Sequence, residues 1–358
     1  GPREAASARA GEPPAQVART PQAEAPGHVH RLGDADARAA RHVERAENTA
    51  RLIDVTLRIA MLPERYDRGK AEAAPWRRAL EAVDLLQPVR HRYGRIDSES
   101  VLRHLLLSPE NPASVYSCLY AARECARAQR VAITAEMYED LNTSWLDMRG
   151  QTWGRLHDDG ITNLLEWVKR RSASFRGVTI GTLGRGEGYH FLQLGAFVER
   201  GDWAIRLLDI AGSEGEREAR EQDTVDYFRW SALLQSLSAF EMYRRLYRES
   251  VGVAGVVDLM LLQEANPRSL LTCAATAHAV LQTLAGGGNT EAVRQAGALA
   301  AQCRYARIDE ILGQGLEPWL QDAMARLIRL GDDIHRQFMV STDVVAPVVQ
   351  PQAWVQEQ

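Results

Sequence analysis

The chain has no surplus of positive charge: 43 Lys and Arg stand against 47 Asp and Glu, a net charge of −4 over 358 residues. Without that surplus there is little to release counterions from a phosphate backbone, and nucleic acid is not an expected partner. Cysteine is equally scarce. The four residues Cys118, Cys125, Cys273 and Cys303 form no CxxC and no zinc-type cluster, and their density is far below that of a disulfide scaffold. They read as reduced thiols in a cytoplasmic protein. Long hydrophobic runs are missing too. The longest stretch without Asp, Glu, Lys or Arg in the folded part, Ser269–Thr290, is broken by Ser, Thr, Gln, His and Gly, so no membrane span is expected. Residues 1–30 lack the basic, apolar and small-residue layout of a signal peptide.

Proline is absent from Ala113 to Asn266, and through that run Ala, Leu, Arg and Glu recur at helical spacing. The expected fold is all-α. Helices are predicted near 34–62, 76–92, 98–107, 112–130, 134–149, 161–175, 187–211, 223–249, 253–264, 267–285, 290–304 and 317–339. Asn111-Pro112 and Asn266-Pro267 read as an N-cap followed by proline at the first helical position. Gly286-Gly287-Gly288-Asn289 reads as a helix-to-helix turn. Flanking the helices, residues 1–30 hold eight Ala and five Pro with only two larger aliphatics and read as a disordered arm. Residues 341–358 read as a flexible tail. The glycines of Gly177-Val178-Thr179-Ile180-Gly181, Gly184, Gly186 and Gly188 match neither GxxxxGK[ST] nor GxGxxG, so a flexible helix-to-helix connection is expected there instead of a nucleotide loop.

The strongest internal signal is repetition. Residues 41–55 align without gaps on 196–210, an offset of 155, with six of fifteen positions identical: Val43/Val198, Glu44/Glu199, Arg45/Arg200, Arg51/Arg206, Leu52/Leu207 and Asp54/Asp209. At the same offset Val101 to Cys118 aligns on Val256 to Cys273 with seven of eighteen identities, among them Asn111/Asn266, Pro112/Pro267 and Ser114/Ser269. Two separate blocks in one register imply a helical bundle built from two tandem repeats of one module, halves about 31–150 and 186–304, sharing a core within a domain of 31–340.

On a helical projection Val43, Ala46, Ala50, Ile53 and Leu57 share one side, with Arg41, Glu44, Arg45 and Asn48 nearly opposite. That polar side has two readings. It could be a solvated face laced by i,i+4 pairs such as Glu47 to Arg51 and Asp202 to Arg206. The solvated face is the first expectation from residue types; because Leu52, Val55, Leu207 and Ile210 fall on it too, the alternative is an enclosed network of Glu44, Arg45, Glu199 and Arg200 that holds the halves together or binds a charged ligand. Arg185 and His190 flank a helix start and are candidates for a small-anion contact. Only one Glu-x-x-His spacing occurs, Glu187 to His190, with Asp332 to His335 as a weaker echo, so no metal site is expected. Ser114, Ser269, Cys118 and Cys273 are accounted for by helix starts and packing.

The string from Val43 to Leu52, with Arg170-Arg171-Ser172, Gly181-Thr182-Leu183, the segment from Tyr189 to Gly195 and the segment from Ser238 to Arg244, resembles the bacterial alpha-E proteins. The resemblance spans roughly residues 31–339. It implies an all-helical fold and association with a circularly permuted ATP-grasp amide ligase and a transglutaminase-like peptidase. No cofactor is implied for this chain; ATP and Mg are expected in the partner ligase. The matching site residues are Glu44, Arg45, Asn48, Arg51, Arg185, Glu199, Arg200 and Arg206. Where family members carry an aromatic-rich turn before the first Glu-Arg pair, this chain has Ala35-Asp36-Ala37-Arg38-Ala39-Ala40. Two roles follow: an accessory scaffold that binds the ligase or its peptide product, or a pathway enzyme in which Glu44 or Glu199 acts as acid or base. The second requires an accessible cleft and a Glu with a raised pKa.

Overall fold

The computed structural model describes residues 26–62, 73–212 and 219–338; the expected arm up to residue 25 and the expected tail lie outside the described residues. Among the described residues there are helices and no strand. The first part comprises α1 (Pro26–Ala60), α2 (Ala73–Glu81), α3 (Leu86–Tyr93), α4 (Ser98–Leu106), α5 (Val115–Ala128), α6 (Ala135–Arg149), α7 (Trp153–Asp159) and α8 (Ile161–Thr182). The second comprises α9 (Glu187–Gly212), α10 (Ala219–Ser236), α11 (Phe240–Tyr247), α12 (Val253–Leu261), α13 (Leu270–Leu284), α14 (Glu291–Tyr305), α15 (Ile308–Gln314) and α16 (Leu316–Phe338).

Local chemistry sets these boundaries. Asp97, Ser114, Thr134, Ser269 and Thr290 are N-caps, each accepting a hydrogen bond from a backbone N–H three residues on. The asparagines expected as caps do something else. Nδ2 of Asn111 donates to the His104 carbonyl at 3.1 Å, and Nδ2 of Asn266 donates to that of Leu259 at 2.9 Å. Their Oδ1 atoms accept from the N–H of Ala113 and of Arg268. Each asparagine thus closes the end of the preceding helix and its own turn, and the new helix begins only after the proline.

Two expected helices are broken. Region 76–92 stops at Asp84 and region 223–249 at Ser238, both in the left-handed conformation (φ 57° and 56°). In each, the next residue's N–H reaches back five residues, Leu85 to Leu80 and Ala239 to Leu234, both at 2.8 Å. This is the Schellman closure, which occupies carbonyls the helix would leave bare. Gly286 and Gly287 take positive φ and make the expected turn between α13 and α14. The glycine-rich segment departs from expectation: α8 continues through Gly177 and Gly181 to Thr182, because Phe175 and Thr179 are buried and keep that turn of helix against the core. The start of α1 also differs, since residues 26–30 of the expected arm are helical.

α1 and α9 cross at the centre and make the most extensive helix pairing in the molecule. α1 also packs on α5 and α8, and α9 on α13 and α16. The alanine run needs no aromatic turn. Ala35, Ala37, Ala39 and Ala40 are buried, and the Ala37 carbonyl lies so close to Gly195 that a Cβ there would sit 2.2 Å from its oxygen. Small residues on both sides let the two backbones approach. No helix among the described residues is long and apolar enough to cross a membrane.

Candidate functional site

The α1/α9 crossing brings the two Glu-Arg pairs face to face. Arg45 donates from Nε and Nη2 to the two carboxylate oxygens of Glu199 at 2.6 and 2.8 Å. Arg200 donates in the same way to Glu44, at 2.8 Å each. Each carboxylate is therefore held by the guanidinium of the other helix in bidentate geometry. Glu44 and Glu199 are 2% and 4% exposed, so the solvated-face reading fails for them.

Further groups close the network, unequally on its two sides. On the Glu44 side, Glu47 is fully buried and accepts from Arg51 (2.9 Å), Arg176 (2.5 Å), Ser172 (2.6 Å) and Arg268. Arg176 and Arg268 also reach Glu44 at 3.3 and 3.5 Å. On the Glu199 side, Asp202 is held by Arg206 at 2.7 Å, Trp203 donates to Glu199 at 3.1 Å, and the half-exposed Arg41 stands 3.6 Å from Glu199. Arg51 and Arg206 each also donate to a carbonyl at a distant helix end, Ser236 and Ala82 respectively.

Electrostatics follow this wiring. Burial pushes the Glu47 carboxyl up, but Arg268, Arg176 and Arg51 hold it well below the usual range. Burial likewise opposes ionisation of Glu199, and its hydrogen bonds and charge pairing with Arg45 prevail and lower it. Asp202 goes the other way: burial raises it and Arg206 only partly compensates. Burial also pushes Asp36 to about 7 and, with Arg45 nearby, takes His42 down to about 4. The thiols of Cys118 and Cys273 are buried and pushed up to about 12, which suits packing and not nucleophilic work.

Of the residues singled out in the sequence, Glu44, Arg45, Arg51, Glu199, Arg200 and Arg206 meet in this network. Asn48 is buried beside them, its Nδ2 without a hydrogen-bond partner among the described residues. Arg185 stands apart: it is exposed, donates to the Tyr189 hydroxyl at 2.9 Å and lies over that ring. Sequence reasoning missed Arg176 and Arg268. Arg268 carried one signal, since it follows Asn266-Pro267 where the first block has Ala113 after Asn111-Pro112. Among the described residues no three His, Cys, Asp or Glu side chains gather as a metal site.

Two cavities flank the crossing. One, of about 440 Å³, lies between α1, α9 and α16 and is bounded by the Arg45/Glu199 pair. The other, of about 210 Å³, lies between α1, α8 and α9 and is bounded by the Glu44/Arg200 pair. Two Glu-Arg dipeptides thus stand at the heart of a helical body, and residues 39–339 match Alpha-E, described as a predicted alpha-helical domain with a conserved ER motif. The chain belongs to the Alpha-E family. This Alpha-E chain is similar to an uncharacterized protein of Mycobacterium bovis, 26% identical over 309 residues, covering 80% of this chain and 34% of the relative. It is similar to an uncharacterized protein of Mycobacterium tuberculosis at 25% identity with the same coverage. The chain thus spans about a third of the length of these curated relatives. No solved structure matches it.

Proposed function

We propose that this Alpha-E chain is a non-catalytic helical scaffold made of two copies of one module, clasped by its own Glu-Arg pairs, that serves an ATP-grasp amide or peptide ligase by binding the ligase or its peptide product. The observation that carries the reading is the reciprocal exchange of Glu44 with Arg200 and Arg45 with Glu199. A carboxylate that is buried, bidentately paired and, for Glu199, lowered in pKa is poorly suited to take a proton at neutral pH.

The duplication is supported by corresponding helix ends, within the second aligned block and beyond it. Both ends of α4 and α12 lie 155 residues apart, as do both ends of α7 and α15 and the starts of α8 and α16. The Schellman turns at Asp84 and Ser238, and the reach of Arg51 and Arg206 to opposite helix ends, recur in both halves. The relatives extend well past the matched third, which leaves room for a partner activity in the same polypeptide.

Co-purification with an ATP-grasp ligase encoded beside this chain tests the scaffold reading, and failure to co-purify counts against it. An amide-forming assay with wild type and Glu44→Gln tests the competing reading, in which Glu44 or Glu199 acts as acid or base. Unchanged product formation by a folded, ligase-bound Glu44→Gln protein would exclude catalysis by Glu44.

A further inference from the structure

The two cavities at the crossing occupy corresponding places. The smaller is lined by Glu44 and Arg200 with Phe175, Arg176, Thr179 and Ile180 of α8. The larger is lined by Glu199 and Arg45 with Gly331, Ile334 and His335 of α16. Positions 176 and 331, 179 and 334, and 180 and 335 are each 155 apart, the offset of the repeat.

One difference matters. In the smaller cavity the Arg176 guanidinium reaches inward and donates to Glu47 Oε2 at 2.5 Å and to Ser172 Oγ at 2.8 Å. At the corresponding position of the larger cavity stands Gly331, which has no side chain to offer; the guanidiniums on that wall, Arg45 and Arg206, are already turned to Glu199 and Asp202, and Arg41 and His335 complete the lining. Arg268, the other guanidinium on the Glu44 side, has Ala113 as its counterpart. The carboxylates Glu199 and Asp202 therefore lack two cations that Glu44 and Glu47 enjoy. Arg41 compensates only from the rim, 43% exposed and 3.6 Å from Glu199. Asp332 adds a further carboxylate to the wall and has no ion-pair partner among the described residues.

We propose that the 440 Å³ cavity between α1, α9 and α16 binds a small ligand bearing a guanidinium or primary ammonium group, seated where Arg176 sits in the other cavity. Its volume falls within the roughly 300–1,000 Å³ of small-molecule sites. Leu327, Ile328 and Ile334 offer an apolar wall for the ligand's stem. The raised pKa of Asp202 agrees with a buried carboxylate short of positive charge. The inference rests on the correspondence of the two halves and not on any association with a ligase, so failure of ligase co-purification leaves it standing.

The test is calorimetric titration of the full chain with agmatine, a blocked arginine peptide and succinate. Agmatine should bind once per chain and raise Tm. Comparing agmatine with the peptide tells whether the cation comes free or on a peptide, since the source binds more tightly. Gly331→Arg should abolish binding with the fold intact, because a Cβ at Gly331 meets nothing within 4 Å. Asp202→Asn should weaken binding at least tenfold. Arg176→Gly should open the second cavity and raise the stoichiometry to two, agmatine restoring the Tm that the substitution lowers. The proposal is overturned if neither agmatine nor the peptide binds, if Gly331→Arg leaves their affinity unchanged, or if succinate binds in their place and Arg41→Ala removes it.

Discussion

Glu44 and Arg200 show what a single pairing does here. Both are taken out of water, and burying either alone would be costly; together they satisfy each other through two hydrogen bonds. Replacing one partner leaves the other charge enclosed. Glu44→Gln should lower unfolding free energy by about 3–5 kcal/mol, read as a drop in urea midpoint. The apolar double variant Glu44→Met/Arg200→Met should lie much closer to wild type, and an equal loss in both would contradict this account. Two other residues of α1 set opposing pH dependences. Asp36, near 7 in the folded chain against 3.8 unfolded, keeps its proton on folding, so its contribution falls as pH rises from about 4 to 7. Asp36→Asn should gain up to about 4 kcal/mol over wild type at pH 8 and little at pH 4. His42, near 4 folded against 6.5 unfolded, stays neutral in the fold, so its contribution is lost as pH falls from 6.5 to 4. His42→Gln should flatten that part of the stability curve. Glu47 and Glu199, both lowered, add stability above their ordinary range that disappears in stronger acid.

At the scale of elements, the α1/α9 contact decides the architecture. Its closest point is Gly195 against the Ala37 carbonyl, where a methyl group has no room and the obstacle is backbone, not a side chain that could turn away. Gly195→Ala should force the helices apart and cost about 1–3 kcal/mol, with the Arg45/Glu199 pair loosened. A chain whose thermal midpoint is unchanged by that substitution would refute the close packing. The same contact accounts for the small residues before the first Glu-Arg pair: Ala35, Ala37, Ala39 and Ala40 are buried, with the Ala37 backbone against Gly195. Helix existence was readable from pattern, because long proline-free amphipathic runs have little alternative. The break at Ser238 was not, since neither Gly nor Pro marks it, and the one at Asp84 was signalled only indirectly, by Pro88 in the first turn of the next helix; at both, the left-handed residue is tolerated because the Schellman bonds secure it.

Across the whole molecule, the two central helices lie side by side with the remaining helices packed outward from each. Neither central helix can bury its charged side without the other. An isolated chain of residues 26–182 would leave Glu44 without Arg200 and uncover the crossing surface of α1, and should show no cooperative unfolding transition. Mixed with residues 183–338 it should recover one. A half that folds cooperatively alone would show that the two halves are independent domains and would undo the proposed clasp.

Composition and periodicity by themselves determined that this chain is helical, and repetition pointed to Glu44, Arg45, Glu199 and Arg200, because such signals are local along the chain. Which acid meets which base was not local. The partners of Glu44 are 132, 156 and 224 residues away, so only the crossing of α1 and α9 could decide that the pairs exchange partners. The inequality of the two sides was likewise decided in three dimensions, where Arg176 narrows one cavity to about 210 Å³ and Gly331 leaves its counterpart at about 440 Å³.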